Sequence, residues 1–215
     1  MRRVPYVSWG FAVLILVLFA LGFGRSASTA GVTLSTATAF SRPYTLLTYI
    51  LAHADLWHVA VNAAVIAVAG PLVERAGHVR AAAVMVLAAV TAGLVFCGVS
   101  ALVRPGLTLE GASSVALALA AYAATAARVR WLTIALGILA VLGLLGPNVG
   151  GGAAHIAGYA VGVLCAAAHM RQTAAGDERR HRELHRIHTK IQQSGYASLT
   201  DMEKSFLNNQ VLDDK

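Results

Sequence analysis

Six apolar runs, at residues 6–23, 52–73, 81–103, 112–127, 131–146 and 152–170, constrain this 215-residue chain more than any other feature. A helix that crosses a bilayer needs about 20 mostly apolar residues, because hydrocarbon offers no partner to an unpaired backbone group. The runs at 112–127 and 131–146 are short for a full span. They require local thinning of the bilayer or a helix that starts inside the protein at membrane depth. Composition agrees: 57% of residues are hydrophobic and 13% charged, against about 25% charged in an ordinary soluble domain. The fold expected is all-α, a polytopic bundle of six transmembrane helices over residues 1–170, followed by a helical cytoplasmic tail at 171–215.

The net charge of +7 is unevenly placed. Residues 1–170 carry nine Arg, no Lys and only Asp55, Glu74 and Glu110 as acids, and the arginines fall in the gaps between apolar runs. Charge in short loops reports orientation, so no nucleic-acid partner is implied. Arg2, Arg3, Arg75, Arg80, Arg128, Arg130 and Arg171 fall on one side of a six-span chain, and Arg25, Arg42 and Arg104 on the other. Both termini are therefore expected in the cytoplasm. The first run is longer than the roughly 7–15 residues of a signal-peptide core, which favours a retained helix over cleavage near SASTAG. Cys97 and Cys165 each sit in an apolar run without the spacing of a metal site or disulfide framework.

Polar side chains inside spans are expensive and face protein or a water-filled cavity. On the second span these are His53, Asp55, His58 and Asn62, on the fourth Ser113 and Ser114, and on the sixth His155. Spans two, four and six run in the same direction, so the expected topology brings these residues to one level near the outer surface. His58 and Asn62, four residues apart, share a helix face. An isolated His or Asn of this kind also serves as a plain interhelical hydrogen bond.

In LEGASSVALALAAY, Gly111 ends a loop and a small-residue helix begins, so Ser113 stands near free backbone N–H groups that stabilise an oxyanion. The bland alternative for Ser113 or Ser114 is a helix N-cap. In GGAAHIAGYAVGVL, Gly158 and Gly162 form a GxxxG strip that lets another helix approach closely, and the fourth span supplies a matching small surface in Ala116, Ala120 and Ala124. Close approach of the two helices carries His155 toward Ser113, the minimal pairing of nucleophile and base. Nothing in the sequence asks for a cofactor or a metal.

Three ordered motifs, HADLWHVAVN, GAS and AHIAGYAVG, together resemble the rhomboid family of intramembrane serine proteases, over roughly residues 40–170. The resemblance implies a six-helix core with a cavity open to the extracytoplasmic side and a catalytic dyad of Ser113 as nucleophile and His155 as base. It further implies an oxyanion and substrate-binding group of His58, Asn62, Gly111 and His53, with transmembrane proteins as substrates and the cell membrane as location. Three features depart from the family pattern. Ser114 stands where Gly usually follows the nucleophile, Leu117 where many members have an aromatic residue, and the outer loop lacks a Trp-Arg pair. A client-binding relative without turnover, and a small transporter or channel, are the alternatives that use the same polar residues.

In the tail, residues 177–193 read as a helix with Leu184, Ile187 and Ile191 on one side, stopped at Ser194-Gly195. Thr200 and Glu203 have capping-box spacing before a second helix, with Leu199 as its staple residue. His181, His185 and His188 lack a matching carboxylate or Cys ligand for a metal. The tail reads as a docking or self-association element, with Arg179, Arg180, Arg182 and Arg186 as the alternative electrostatic anchor to anionic lipid.

Overall fold

The computed structural model describes residues 4–23, 31–104 and 106–213, with side chains up to residue 209. Arg2, Arg3 and Arg25, which contribute to the expected orientation, lie outside the described residues, as does most of SASTAG. The fold is an all-α membrane bundle. Its helices are α1 (Tyr6–Ala20), α2 (Thr45–Thr48), α3 (Leu56–Glu74), α4 (His78–Val103), α5 (Ser113–Ala126), α6 (Arg130–Leu142), α7 (Val149–Ser194) and α8 (Asp201–Asp213). Two short strands, β1 (Leu34–Ser35) and β2 (Thr108–Leu109), pair antiparallel with Leu34 opposite Leu109. The chain divides into two compact units, Met1–Ala167 and Ala168–Lys215.

Helices α3, α4 and α7 are long and apolar enough to cross a membrane, whereas α1, α5 and the stretch Arg130–Leu145 are apolar but shorter. The first apolar run yields a shorter helix than its length implies. Helix α1 stops at Ala20 because the chain turns through Gly22 at φ 80°, a left-handed conformation that glycine adopts freely. The second run also begins later as a helix than expected. Asp55 is the N-cap of α3 and accepts the His58 N–H at 2.8 Å, so His53 and Asp55 precede the helix instead of lying on it. A third difference is the length of α7, which continues past residue 170 without a break. Residues 171–176 contain no proline, and only Gly176 disfavours a helix there, by about 1 kcal/mol.

In the first unit, α5 is the central helix. Ala116, Ala118, Leu119, Ala121, Tyr122 and Ala124 are all buried, on every side of it, as expected of a helix enclosed by others. Outward-facing Val13, Leu16, Val68, Val86, Leu94 and Ile134 are exposed, which suits a hydrocarbon solvent. The crossing of α1 and α3 is fixed by a buried carboxylate. Glu74, 1% exposed, accepts the Ser8 N–H at 2.7 Å, the Val7 N–H at 3.3 Å and the Ser8 hydroxyl, and meets His78 Nδ1 at 2.6 Å. It thereby satisfies N–H groups that the first turn of α1 leaves without helical partners. Gly70 allows the approach, since a side chain there would run into Ser8.

The second unit has its own small core of Ile187 and Leu199, both buried. The helical part of α7 in this unit ends at Ser194, and Gly195 turns the chain at φ 75°. The capping box then forms reciprocally: Thr200 Oγ1 accepts the Glu203 N–H at 3.3 Å, and Glu203 Oε2 accepts the Thr200 N–H at 2.8 Å. Glu203 also pairs with Lys190 at 2.8 Å and Arg186 at 2.7 Å. Lys190, the Thr200 N–H and Arg186 together hold its carboxyl below the ordinary 4.5, at about 2. Arg182 pairs with Glu178 at 3.1 Å, so Arg182 and Arg186 of the anchor alternative already have acidic partners.

Candidate active site

The segment ahead of Ser113 is pinned residue by residue. Gly111 has φ 99° and donates its N–H to the Tyr49 carbonyl at 2.9 Å. A Cβ at Gly111 would lie 2.5 Å from the His58 ring, so both conformation and space demand glycine. The next N–H, of Ala112, donates to His53 Nε2 at 3.2 Å. His53 is fully buried and its ring meets that of His58 edge to face at 5.1 Å. His53 and Gly111 therefore shape the loop, and neither lines the cavities described below.

Helix α5 begins at Ser113 with Ala112 as its N-cap, and no side chain caps it. Neither serine takes the capping role that is common at such a position. The Ser113 hydroxyl meets His155 Nε2 at 2.8 Å, and the Ser114 hydroxyl meets Tyr49 Oη at 3.0 Å. The first intrahelical bond of α5 is Ala116 N–H to the Ala112 carbonyl. The N–H groups of the turn before it, that of Ser113 included, lack helical partners.

His155 stands in the second turn of α7, one turn ahead of Gly158. A Cβ on Gly158 would meet the Ser114 carbonyl, and one on Gly162 the Ala118 carbonyl, so α5 and α7 touch at backbone contact. This contact brings the imidazole to the serine. A second surface confines the imidazole from α6. Gly143, in the 3₁₀ turn Gly143–Leu145, would place a Cβ 3.1 Å from His155 Nδ1, and Gly152 would place one 2.5 Å from the Gly143 carbonyl. Tyr159, one turn beyond His155, donates its hydroxyl to the Thr133 carbonyl of α6 at 3.1 Å. These contacts hold α6 and α7 together around the Ser113–His155 pair, and Leu117 lines the same cavity as that pair.

Two cavities of about 430 Å³ meet at Ser113, His155 and Gly143. One is polar, with His58, Glu110 and Asn148 in its wall. The other is apolar, with Val61, Val65, Leu117, Leu136 and Leu139, and Asn62 on one side. Asn62 is 4% exposed and its Nδ2 has no hydrogen-bond partner. A buried unpaired donor costs about 1–3 kcal/mol, so an amide held this way beside Ser113 is suited to an acceptor that arrives with a substrate. Of the residues singled out from sequence, Ser113, His155, His58 and Asn62 converge here. Tyr49, Gly143 and Asn148 were not among them. Asn148 gives the clearest signal in retrospect, as a polar residue directly after Gly-Pro and before an apolar helix. It accepts the Gly151 N–H at 2.9 Å and donates to the Thr108 carbonyl at 3.0 Å, tying α7 to the Ser113 loop.

Among the described residues no three His, Cys, Asp or Glu side chains converge as a metal site. The sequence model of the Rhomboid domain matches residues 41–172, more than half of the chain. No curated protein matches it.

Proposed function

Because the chain belongs to the rhomboid family, we propose that it is an intramembrane serine endopeptidase that hydrolyses peptide bonds in or near transmembrane segments. The observation that carries this reading is the 2.8 Å contact between Ser113 Oγ and His155 Nε2 at the start of a buried helix. His155 removes the Ser113 proton as the hydroxyl oxygen attacks the substrate carbonyl carbon. The carbonyl oxygen becomes an oxyanion, and the Asn62 amide, His58 and the Ser113 backbone N–H are the donors that stabilise it. His155 then gives its proton to the departing amine, leaving an acyl-Ser113 ester. Water attacks that ester with His155 again as base, which releases the acid and restores the dyad.

Helix α5 spans about 21 Å at 1.5 Å per residue, less than the roughly 30 Å hydrocarbon core. Its first turn therefore suits a position below the surface, reached by water through the polar cavity. The arginine distribution supports cytoplasmic termini, a site open to the extracytoplasmic side and residence in the cell membrane. Substrates are transmembrane proteins that present an extended bond at the junction of the two cavities.

Purified protein is expected to react with a serine-directed phosphonate and to cleave a transmembrane substrate. Ser113→Ala is expected to abolish both, and cleavage that survives this substitution would sink the proposal. Retention of transmembrane clients without turnover is the reading that Ser114 and Leu117 favour, and it predicts client co-purification with no phosphonate labelling.

A further inference from the structure

Tyr49 carries two bonds to the segment around Ser113, and nothing in the dyad chemistry accounts for them. The residue is fully buried in the 3₁₀ turn Tyr49–Leu51. Its carbonyl accepts the Gly111 N–H at 2.9 Å, two residues before Ser113. Its hydroxyl donates to the Ala89 carbonyl of α4 at 3.0 Å and meets Ser114 Oγ at 3.0 Å, one residue after Ser113. A phenol has one proton. With that proton on Ala89, the Ser114 hydroxyl is the donor and the Tyr49 oxygen the acceptor. The other side of Ser114 is occupied by α7, where Gly158 lies against its carbonyl. Ser114, 2% exposed, is thus held between a hydroxyl on one side and a glycine backbone on the other.

We propose that Tyr49 is a positioning residue for the Ser113 nucleophile, acting through the Ser114 hydroxyl and the Gly111 N–H. The proposal rests on the protease reading above. It gives the serine at position 114 a role. Its hydroxymethyl group points away from Ser113 and fastens the first turn of α5 to the Tyr49–Ala89 pair, which sets where the Ser113 hydroxyl and N–H lie. The reach of α5 toward His155 comes from Gly158, and its rotation from Tyr49. The two hydroxyls of this bond meet each other and not the side chain of Ser113 or His155.

The test compares Tyr49→Phe, Ser114→Ala and the double variant in full-length protein, by phosphonate labelling rate and by kcat and KM on a transmembrane substrate. Each single variant is expected to lower kcat and the labelling rate about tenfold, the equivalent of one neutral hydrogen bond, with KM unchanged. Both delete the Tyr49–Ser114 bond, and Tyr49→Phe deletes the Ala89 bond with it, so the double variant is expected to be no slower than Tyr49→Phe. A purely structural contact would lower the melting temperature and leave kcat of the folded fraction intact, which overturns the proposal. Additive losses overturn it too, as does Ser114→Gly at or above the wild-type rate. Ser114→Ala carries the test alone should the Tyr49→Phe chain not fold. Failure of the protease reading itself appears earlier, as wild-type protein with no Ser113-dependent labelling.

Discussion

Gly158→Ala tests whether the backbone contact of α5 and α7 is what makes a dyad. The added Cβ would lie 2.9 Å from both Cα and C of Ser114, with the carbonyl oxygen nearer still. Ordinary van der Waals contact begins at 3.4 Å, so clearing the two carbons alone takes 0.5 Å and clearing the oxygen about 1 Å. The obstacle is backbone, not the end of a flexible side chain, so α7 itself must withdraw. His155 lies one turn from Gly158 on α7, and Ser113 is adjacent to Ser114 on α5, so the retreat passes almost undiminished to the 2.8 Å contact of the dyad. That contact opens beyond the usual hydrogen-bond limit of about 3.2 Å. A misplacement of about 1 Å at a reacting group costs on the order of 100-fold in rate, and overpacking of this kind costs roughly 1–3 kcal/mol in stability. The assay is phosphonate labelling and substrate turnover, each normalised to the folded fraction by thermal unfolding in detergent. Gly98→Ala on α4 is the control, because a Cβ there meets nothing within 4 Å. Wild-type turnover in Gly158→Ala would refute the argument that this contact sets the dyad distance.

Three further outcomes follow from the geometry. Asn62→Ala should lower kcat by roughly 10²–10³, the effect of removing one oxyanion donor, while the melting temperature holds or rises because the deleted Nδ2 has no partner in the folded protein; a falling melting temperature with unchanged kcat would contradict this. Glu74→Ala should destabilise the first unit by about 3 kcal/mol or more, since the Ser8 and Val7 N–H groups lose a buried acceptor. Thermal unfolding measures that loss, and an unshifted transition would remove the carboxylate from its assigned role. In the second unit, Glu203 has a depressed pKa, so its stabilisation is complete above pH 4.5 and is lost as the pH falls through about 2. Hydrogen-exchange protection of α8 amides, corrected for intrinsic rates, should decline over that window in wild type and stay flat in Glu203→Ala; equal profiles would be the contrary result.

What was legible in the sequence, and what was not, follows from where polarity is unusual. Ser113, His155, His58 and Asn62 stand out because apolar runs surround them, and the expected common direction of spans two, four and six predicts that they meet. Counting apolar residues from Ala52 absorbs the Asp55 cap into a span and so puts His53 and Asp55 on a helix that starts only at Leu56. Tyr49, Gly143 and Asn148 lie in connections, where a tyrosine, a glycine or an asparagine attracts no notice, and their importance comes only from what packs on them. The two serines show the limit most clearly. Consecutive residues on a helix point about 100° apart, so one of the pair can face His155 and the other cannot. In the structure Tyr49 meets the Ser114 hydroxyl and Gly158 lies against the Ser114 carbonyl, and both are distant from the serines in sequence.

The length of α5 joins the fold to the site. Fourteen residues make a weak span signal, because a helix of about 21 Å leaves roughly 9 Å of a 30 Å hydrocarbon layer uncrossed. A full-length helix would carry its free N–H groups to the aqueous surface, where water screens their dipoles and competes for any oxyanion. On the protease reading, the short one keeps the Ser113 N–H below the surface, next to the Gly111 loop that Tyr49 holds, where a donor acts at low dielectric. Helix α5 is accommodated there because its sides are largely alanines and close glycine contacts that need no solvent, and its first turn is buried with them, Ser114 and Val115 included. Lengthening α5 by one turn ahead of Ser113 would therefore preserve helicity and remove the site.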